Sequence, residues 1–115
     1  MADNLNAVPY VGYSYGQPST AVRNGISDTN YTATSTDTLI AYVTLTAART
    51  VTLPAASSVP AGKQFIIKDE SGNCSSGNTI TIVGIIDGVS NLVLNTAYSN
   101  ARIYSNGTNW SKVGA

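Results

Sequence analysis

The chain has 115 residues, enough for one domain, and its six basic and six acidic residues cancel. Charged residues make up only 10% of the chain, well below the share of about 25% that is usual in globular proteins. Such a chain has little electrostatic reach, which argues against binding to nucleic acid or to an anionic membrane. No apolar run approaches the roughly 18 residues of a membrane span, and the first residues lack the pattern of a signal peptide. We therefore expect a protein that is made in a cytoplasm.

Small polar residues supply most of the polarity. The chain contains 14 Thr, 13 Ser and 11 Asn, together about a third of its residues. These residue types favour turns and strands over helix interiors. A surface with near-zero net charge also offers little resistance when protein chains approach each other. The composition thus favours a β-rich protein that assembles with other chains.

Residues 1–36 differ from the rest because they show no sustained apolar alternation and contain two prolines, which are not tolerated inside a helix. Tyr10, Tyr13 and Tyr15 are amphipathic side chains of the kind found in contact surfaces. Three interpretations are open: a disordered tail, an arm folded on its own domain, and an extended arm that becomes ordered on a neighbouring chain. We prefer the last, which makes these three tyrosines the predicted partner-contact residues.

Residues 37–115 are predicted to form a β-domain, because short apolar or alternating runs are separated by turn residues. Asn106-Gly107 lies between two such runs, which is a strong signal for a β-hairpin. No window shows the apolar stripe of a helix. The pattern predicts an all-β fold, a small antiparallel β-sandwich or jelly-roll-like domain with an extended N-terminal arm, rather than a βαβ fold. The predicted strands are 38–43, 49–53, 64–68, 79–83, 91–94, 101–105 and 110–113.

The residues that usually carry chemistry are scarce. The absence of histidine removes the usual general base, the commonest transition-metal ligand and any Ser-His triad. One cysteine and six scattered acids are a poor supply of zinc ligands. Asp69 and Glu70 are adjacent, so on a strand they point to opposite faces, and residues 69–73 lack the full spacing of an EF-hand calcium loop. The sequence predicts no catalytic residue, no metal, no cofactor and no enzyme activity.

The aromatic residues near the end of the chain allow two interpretations. Tyr98, Tyr104 and Trp110 are close in sequence and offer rings on which sugars stack in glycan recognition. Alternatively, Tyr104 and Trp110 are cross-strand partners that hold one face of the predicted hairpin together. We prefer packing, and we predict that Trp110 is buried.

Four sequence elements resemble, in their order, a known viral module. TVTLP (50–54), IIKDESGN (66–73), TITI (79–82) and SNGTNW (105–110) are similar to a β-module of bacteriophage tail fibres, tailspikes and head-decorating proteins. Each element is weak alone, but together they are fairly specific. The resemblance implies a compact β-fold, usually a homotrimer, that has no catalytic residues.

The resemblance also implies a place in the phage particle. In fibres the module normally belongs to a much longer chain, whereas here it follows an arm of 36 residues. We therefore expect a capsid decoration (cement) protein, assembled in the bacterial host cytoplasm, that binds the major capsid protein or other virion proteins at the particle surface. The alternative is a tail-fibre or tail-tip receptor-binding protein that contacts host glycans. A fragment of a glycan-degrading enzyme is a third, less favoured hypothesis.

Overall fold

The computed structural model describes residues 22–114, and in this range it confirms the predicted all-β sandwich. All seven predicted strands are present, and their ends differ from the predicted ones by no more than three residues. The structure also has two further strands and a short 3-10 helix at Ala56–Ser58. The strands are β1 (Arg23–Ser27), β2 (Tyr31–Thr32), β3 (Leu39–Thr44), β4 (Arg49–Thr52), β5 (Gln64–Asp69), β6 (Ile80–Ile86), β7 (Val89–Leu94), β8 (Asn100–Ser105) and β9 (Trp110–Val113).

The strands form one continuous sheet that folds into two layers. The first layer has the order β1-β3-β5-β8-β9, and the second has the order β2-β4-β6 with β7 paired to β6. A single residue pair, Trp110 with Ile86, joins the two layers. The result is a nearly closed, barrel-like sandwich.

Strand direction corrects the predicted antiparallel pairing. Five of the eight strand pairs are parallel, and three are antiparallel. The connections explain this difference, because the chain crosses to the other layer after each of its first five strands. As a result, β1, β3 and β5 are parallel in the first layer, and β2, β4 and β6 are parallel in the second. Hairpins join only β6 to β7 and β8 to β9. Apolar alternation specifies which face of a strand is buried, but it carries no information on strand direction.

Alternate residues of both layers form a single core. Phe65 and Ile67 of β5 are fully buried, as are Ile80 and Ile82 of β6. Tyr42 of β3 is also fully buried, and its hydroxyl donates a hydrogen bond to the carbonyl of Thr29 at 2.7 Å. Burial raises the pKa of Tyr42 to about 12, so this hydroxyl stays a neutral donor.

Trp110 is buried, as the sequence predicts, with only 4% of its surface exposed. Its ring packs against Phe65 with the ring centroids 5.5 Å apart, and its Nε1 donates to the carbonyl of Pro54 at 3.0 Å. The expected pair with Tyr104 is wrong, because Trp110 pairs with Ser105 and Tyr104 pairs with Ser111. This one-residue difference in register places Tyr104 on the outer face of the sheet.

The folded domain begins earlier than residue 37. β1 pairs with β3, and β2 pairs with β4, although both strands lie in residues 1–36, the range predicted as an arm. The alternation that reveals the other strands is weak here, since β1 contributes only Ile26 to the core and β2 has only two residues. The arm can therefore extend no further than about Val22.

Candidate functional site

Asp69 is a buried carboxylate that organises the turn after β5. Its Oδ1 accepts the N–H of Ser71 at 3.0 Å and the Ser71 hydroxyl, while its Oδ2 accepts the N–H groups of Cys74 and Tyr98, each at 3.0 Å. Burial alone would raise the pKa of this carboxyl, but the hydrogen bonds from Ser71, Cys74 and Tyr98 outweigh it and lower the pKa. Asp69 thus joins the turn after β5 to the loop before β8.

Glu70 points away from Asp69, in agreement with their adjacent positions, and binds Arg23. The Nε of Arg23 donates to the Glu70 carboxylate at 2.9 Å, and this hydrogen bond lowers the pKa of Glu70. The pair is on the surface, where solvent screens it. Its role is to connect β1 with the end of β5.

Asp37 is a second buried carboxylate. It accepts hydrogen bonds from the Tyr31 hydroxyl at 2.7 Å, the Thr34 N–H at 2.9 Å and the Asn24 amide at 3.2 Å. Burial opposes ionisation, but these bonds and the Thr34 hydroxyl lower the pKa of Asp37. Asp37 therefore connects β1 and β2 to the loop that precedes β3.

Asp28 has the same kind of role at the other end of these strands. The Thr46 hydroxyl and the Thr46 N–H, the latter at 2.9 Å, donate to its carboxylate, and Arg49 Nε donates at 3.1 Å. The hydroxyl bond is the main reason that the pKa of Asp28 falls to about 2. The three acids Asp28, Asp37 and Asp69 each accept several hydrogen bonds from nearby strands and loops, as structural carboxylates do.

The calcium hypothesis for residues 69–73 gains no support from the geometry. Both carboxylate oxygens of Asp69 already accept hydrogen bonds from the protein. Within residues 22–114, no three Cys, Asp or Glu side chains lie close enough together to hold a metal ion.

A shallow cleft of about 290 Å³ lies beside Trp110, with Pro54, Gly84 and Ile85 along its wall and Asn109 contributing polar groups. The Trp110 ring is too buried to offer a stacking face. The other two aromatic residues considered for sugar binding are elsewhere: Tyr98 lies over Gly72, and Tyr104 is on the outer face of β8. The structure therefore does not bring Tyr98, Tyr104 and Trp110 together as a stacking platform.

Within residues 22–114, the outward strand positions of the second layer carry no charged side chain, and we call this surface the neutral face. Thr50 lies beside Thr81, which lies beside Val93, and these residues alternate with core residues such as Ile82. Ile85 and Val93 are 60% and 49% exposed. The neutral face consists of Thr32, Thr50, Thr52, Thr81, Val83, Ile85, Ser90 and Val93.

The outer surface of the first layer has a different character, and we call it the charged face. Leu39 and Ile66 are neighbours in the middle of one row, with Arg23 and Arg102 on either side. Lys68 lies in the adjacent row. The charged face consists of Arg23, Gly25, Leu39, Ala41, Val43, Gln64, Ile66, Lys68, Asn100, Arg102, Tyr104, Ser111 and Val113.

Comparison with known proteins gives no family assignment. The chain matches no family model and no curated protein. The resemblance to a phage module therefore depends on the four sequence elements alone. In the structure these elements build β4 and its end, β5 with the Asp69 turn, the start of β6, and the turn between β8 and β9.

The predicted contact residues Tyr10, Tyr13 and Tyr15 lie outside the described residues. In the part of the chain from 22 to 114, no helix has the length and apolarity needed to cross a bilayer. Sequence reasoning missed the neutral face, although a signal for it exists. The solvent-side positions of β4 and β6 are β-branched residues instead of the charged residues usual on an exposed strand face.

Proposed function

We propose that this chain is a non-enzymatic structural protein of a bacteriophage particle, a trimeric capsid decoration protein that binds and stabilises the coat. The observation that carries the proposal is the neutral face, a sheet surface of β-branched residues that offers area for assembly without any charged group to desolvate. The structural use of Asp28, Asp37 and Asp69 is consistent with a protein that assembles and does not catalyse.

The end of the sandwich formed by β1 and β2 supports attachment to the coat. Among the described strands, each of these two pairs on one side only, and a sheet edge of this kind is a common place for another chain to add a strand. Residues 1–21, with Tyr10, Tyr13 and Tyr15, join the domain immediately before β1. A tyrosine-rich segment that directly precedes an edge strand in the sequence suits attachment to a coat protein.

Deletion of residues 2–21 is expected to leave a folded, β-rich domain with an unchanged melting temperature that no longer binds particles. The deletion must stop before Arg23, because β1 and β2 are part of the sheet. Ordering an arm costs about 1–2 kcal/mol per residue fixed, so its contacts, the tyrosines above all, must outweigh that cost. Cosedimentation with particles that lack this protein measures binding, and circular dichroism measures folding.

A triple change of Tyr10, Tyr13 and Tyr15 provides the matched comparison. Serine at all three positions removes the rings and is expected to abolish cosedimentation, whereas phenylalanine retains most of the contact area and is expected to retain most binding. Binding of the truncated domain that equals binding of the full chain would contradict attachment through the arm and would assign attachment to the β-domain.

A tail-fibre or tail-tip receptor-binding protein is the alternative, and the cleft beside Trp110 is the observation that favours it. Pro54 and Ile85 give the cleft apolar walls, and Thr108 and Asn109 give it polar groups, a combination that suits a sugar ring. Binding of the purified chain to host cells, lost when Asn109 is replaced by Lys, would support this alternative.

A further inference from the structure

We propose that the neutral face is the surface through which copies of this chain bind each other. A second copy of the chain therefore covers this face, either with its own neutral face or with the β7 edge beside it. Only the number of copies, three, rests on the proposed function. The assignment of the interface rests on the charges, the side chains and the strand pairing of the two outer faces.

The two outer faces differ in how well they suit contact between identical chains, because only one of them carries charged side chains. The charged face carries Arg23, Lys68 and Arg102, of which Arg23 is paired with Glu70. If two copies met there, Lys68 and Arg102 would approach like charges of the partner and lose their hydration. The neutral face brings no charge to such a contact, so a second copy can cover it without that cost.

The side chains of the neutral face also suit contact between two sheets. Val83, Ile85 and Val93 present apolar groups, and the threonines beside them add methyl groups next to hydroxyls. β-branched side chains have few rotamers, so little conformational freedom is lost when the face is covered. Facing sheets of this kind pack about 10 Å apart with their side chains interleaved.

The edge of the neutral face has two of the usual protections against pairing missing, a charge and a proline. β7 pairs only with β6 in the described part of the chain, and its sequence, Val-Ser-Asn-Leu-Val-Leu, contains no charge and no proline. Natural edge strands generally carry a charge, a proline or a pronounced bulge that prevents contact with another strand. In β7 the irregularity near Asn91 is the only such feature.

The size of the face predicts weak association. The face is four strands wide, with the strands about 4.8 Å apart, and about five residues long, with a rise of about 3.3 Å per residue, so its flat area is at most roughly 300 Å². A standard interface buries about 800 Å² of accessible surface per partner. We therefore expect self-association that depends strongly on protein concentration and that a single introduced charge can abolish.

Val93→Lys and Val43→Lys form a matched pair that tests the proposal in the full chain. Val93 lies on the neutral face and is 49% exposed, while Val43 lies on the charged face and is 41% exposed. The unchanged chain is expected to form oligomers in sedimentation velocity experiments that extend from micromolar concentrations to about 1 mM. At about 1 mM even a millimolar Kd gives substantial association. Val93→Lys should weaken association by about tenfold or more, and Val43→Lys should leave it unchanged.

A second variant and a stability measurement guard against misfolding. Thr81→Lys, in the middle of the neutral face, should reproduce the effect of Val93→Lys while circular dichroism and melting show an intact domain. A chain that stays monomeric at about 1 mM overturns the proposal, as does association that resists both lysines on the neutral face. Dimers that respond to these lysines would support the interface and would contradict only the trimer of the proposed function.

If the chain is monomeric but Val93→Lys abolishes binding to particles, the occupant of the neutral face is a coat protein and not a second copy. That result overturns the proposal for self-association while leaving the decoration function in place.

Discussion

Trp110→Ala is expected to lower the free energy of unfolding by about 3–5 kcal/mol, the usual cost of removing a large aromatic side chain from a core. The change removes the packing against Phe65 at 5.5 Å. It also removes the hydrogen bond from Nε1 to the carbonyl of Pro54 and leaves a cavity near the single pair that joins the two layers. Urea denaturation followed by circular dichroism provides the measurement.

Trp110→Phe is the control for this prediction. Phenylalanine keeps part of the ring contact with Phe65 but cannot donate to Pro54, so its effect should lie between those of Trp110→Ala and no change. A Trp110→Ala variant with an unchanged melting temperature that fails to bind sugars or host cells would show that Trp110 serves recognition, and would favour the receptor-binding alternative.

Asp69→Ala is expected to destabilise the domain by about 2 kcal/mol or more, because it leaves two backbone N–H groups without an acceptor and each buried unpaired donor costs about 1–3 kcal/mol. These are the N–H groups of Cys74 and Tyr98, whereas the N–H of Ser71 keeps its second acceptor, the carbonyl of Tyr42 at 3.1 Å. Glu70→Ala is the matched control, since Glu70 is exposed and pairs only with Arg23. A loss no larger in Asp69→Ala than in Glu70→Ala would contradict the assigned role.

The same carboxylates give stability a defined dependence on pH. The folded-state pKa of Asp37, Asp69 and Asp28 lies below the ordinary value of 3.8, and that of Asp28 is about 2. Above about pH 5 these groups are ionised in both states and contribute fully, and their contribution is lost as pH falls through the folded-state pKa. Stability should therefore decrease from about pH 5 towards pH 2, with a smaller slope in Asp69→Asn. An equal slope in that variant would exclude Asp69 as a cause.

Local pattern predicts the strands but not their arrangement. The alternation of Ile80 and Ile82 with Thr81 shows which face of β6 is buried, and Asn106-Gly107 correctly predicts the last hairpin. The parallel pairing depends on the repeated crossing between layers, which is a property of the whole chain. The sequence pattern did not predict β1 and β2, because they contribute few apolar residues of their own. They are stabilised by pairing with β3 and β4 and by the hydrogen bonds to Asp37.

The candidate surface was equally hard to find from sequence. Thr50 and Thr52 are ordinary strand residues when considered alone, and they form a neutral face only because parallel register places them beside Thr81 and Val83. Burial of Asp69 was also unforeseen. Its position at the end of β5 predicts a turn, but the acceptor role depends on Tyr98, which is 29 residues further along the chain.

The central claim, the proposed capsid decoration function, is tested most directly by the number of copies of this chain in purified particles of the phage that is proposed to encode it. Quantitative mass spectrometry of these particles, with the major capsid protein as the internal reference, gives this number. The account predicts a copy number comparable with that of the major capsid protein and in a fixed ratio to it. A handful of copies per particle, located at the tail, would contradict it and would support a receptor-binding protein.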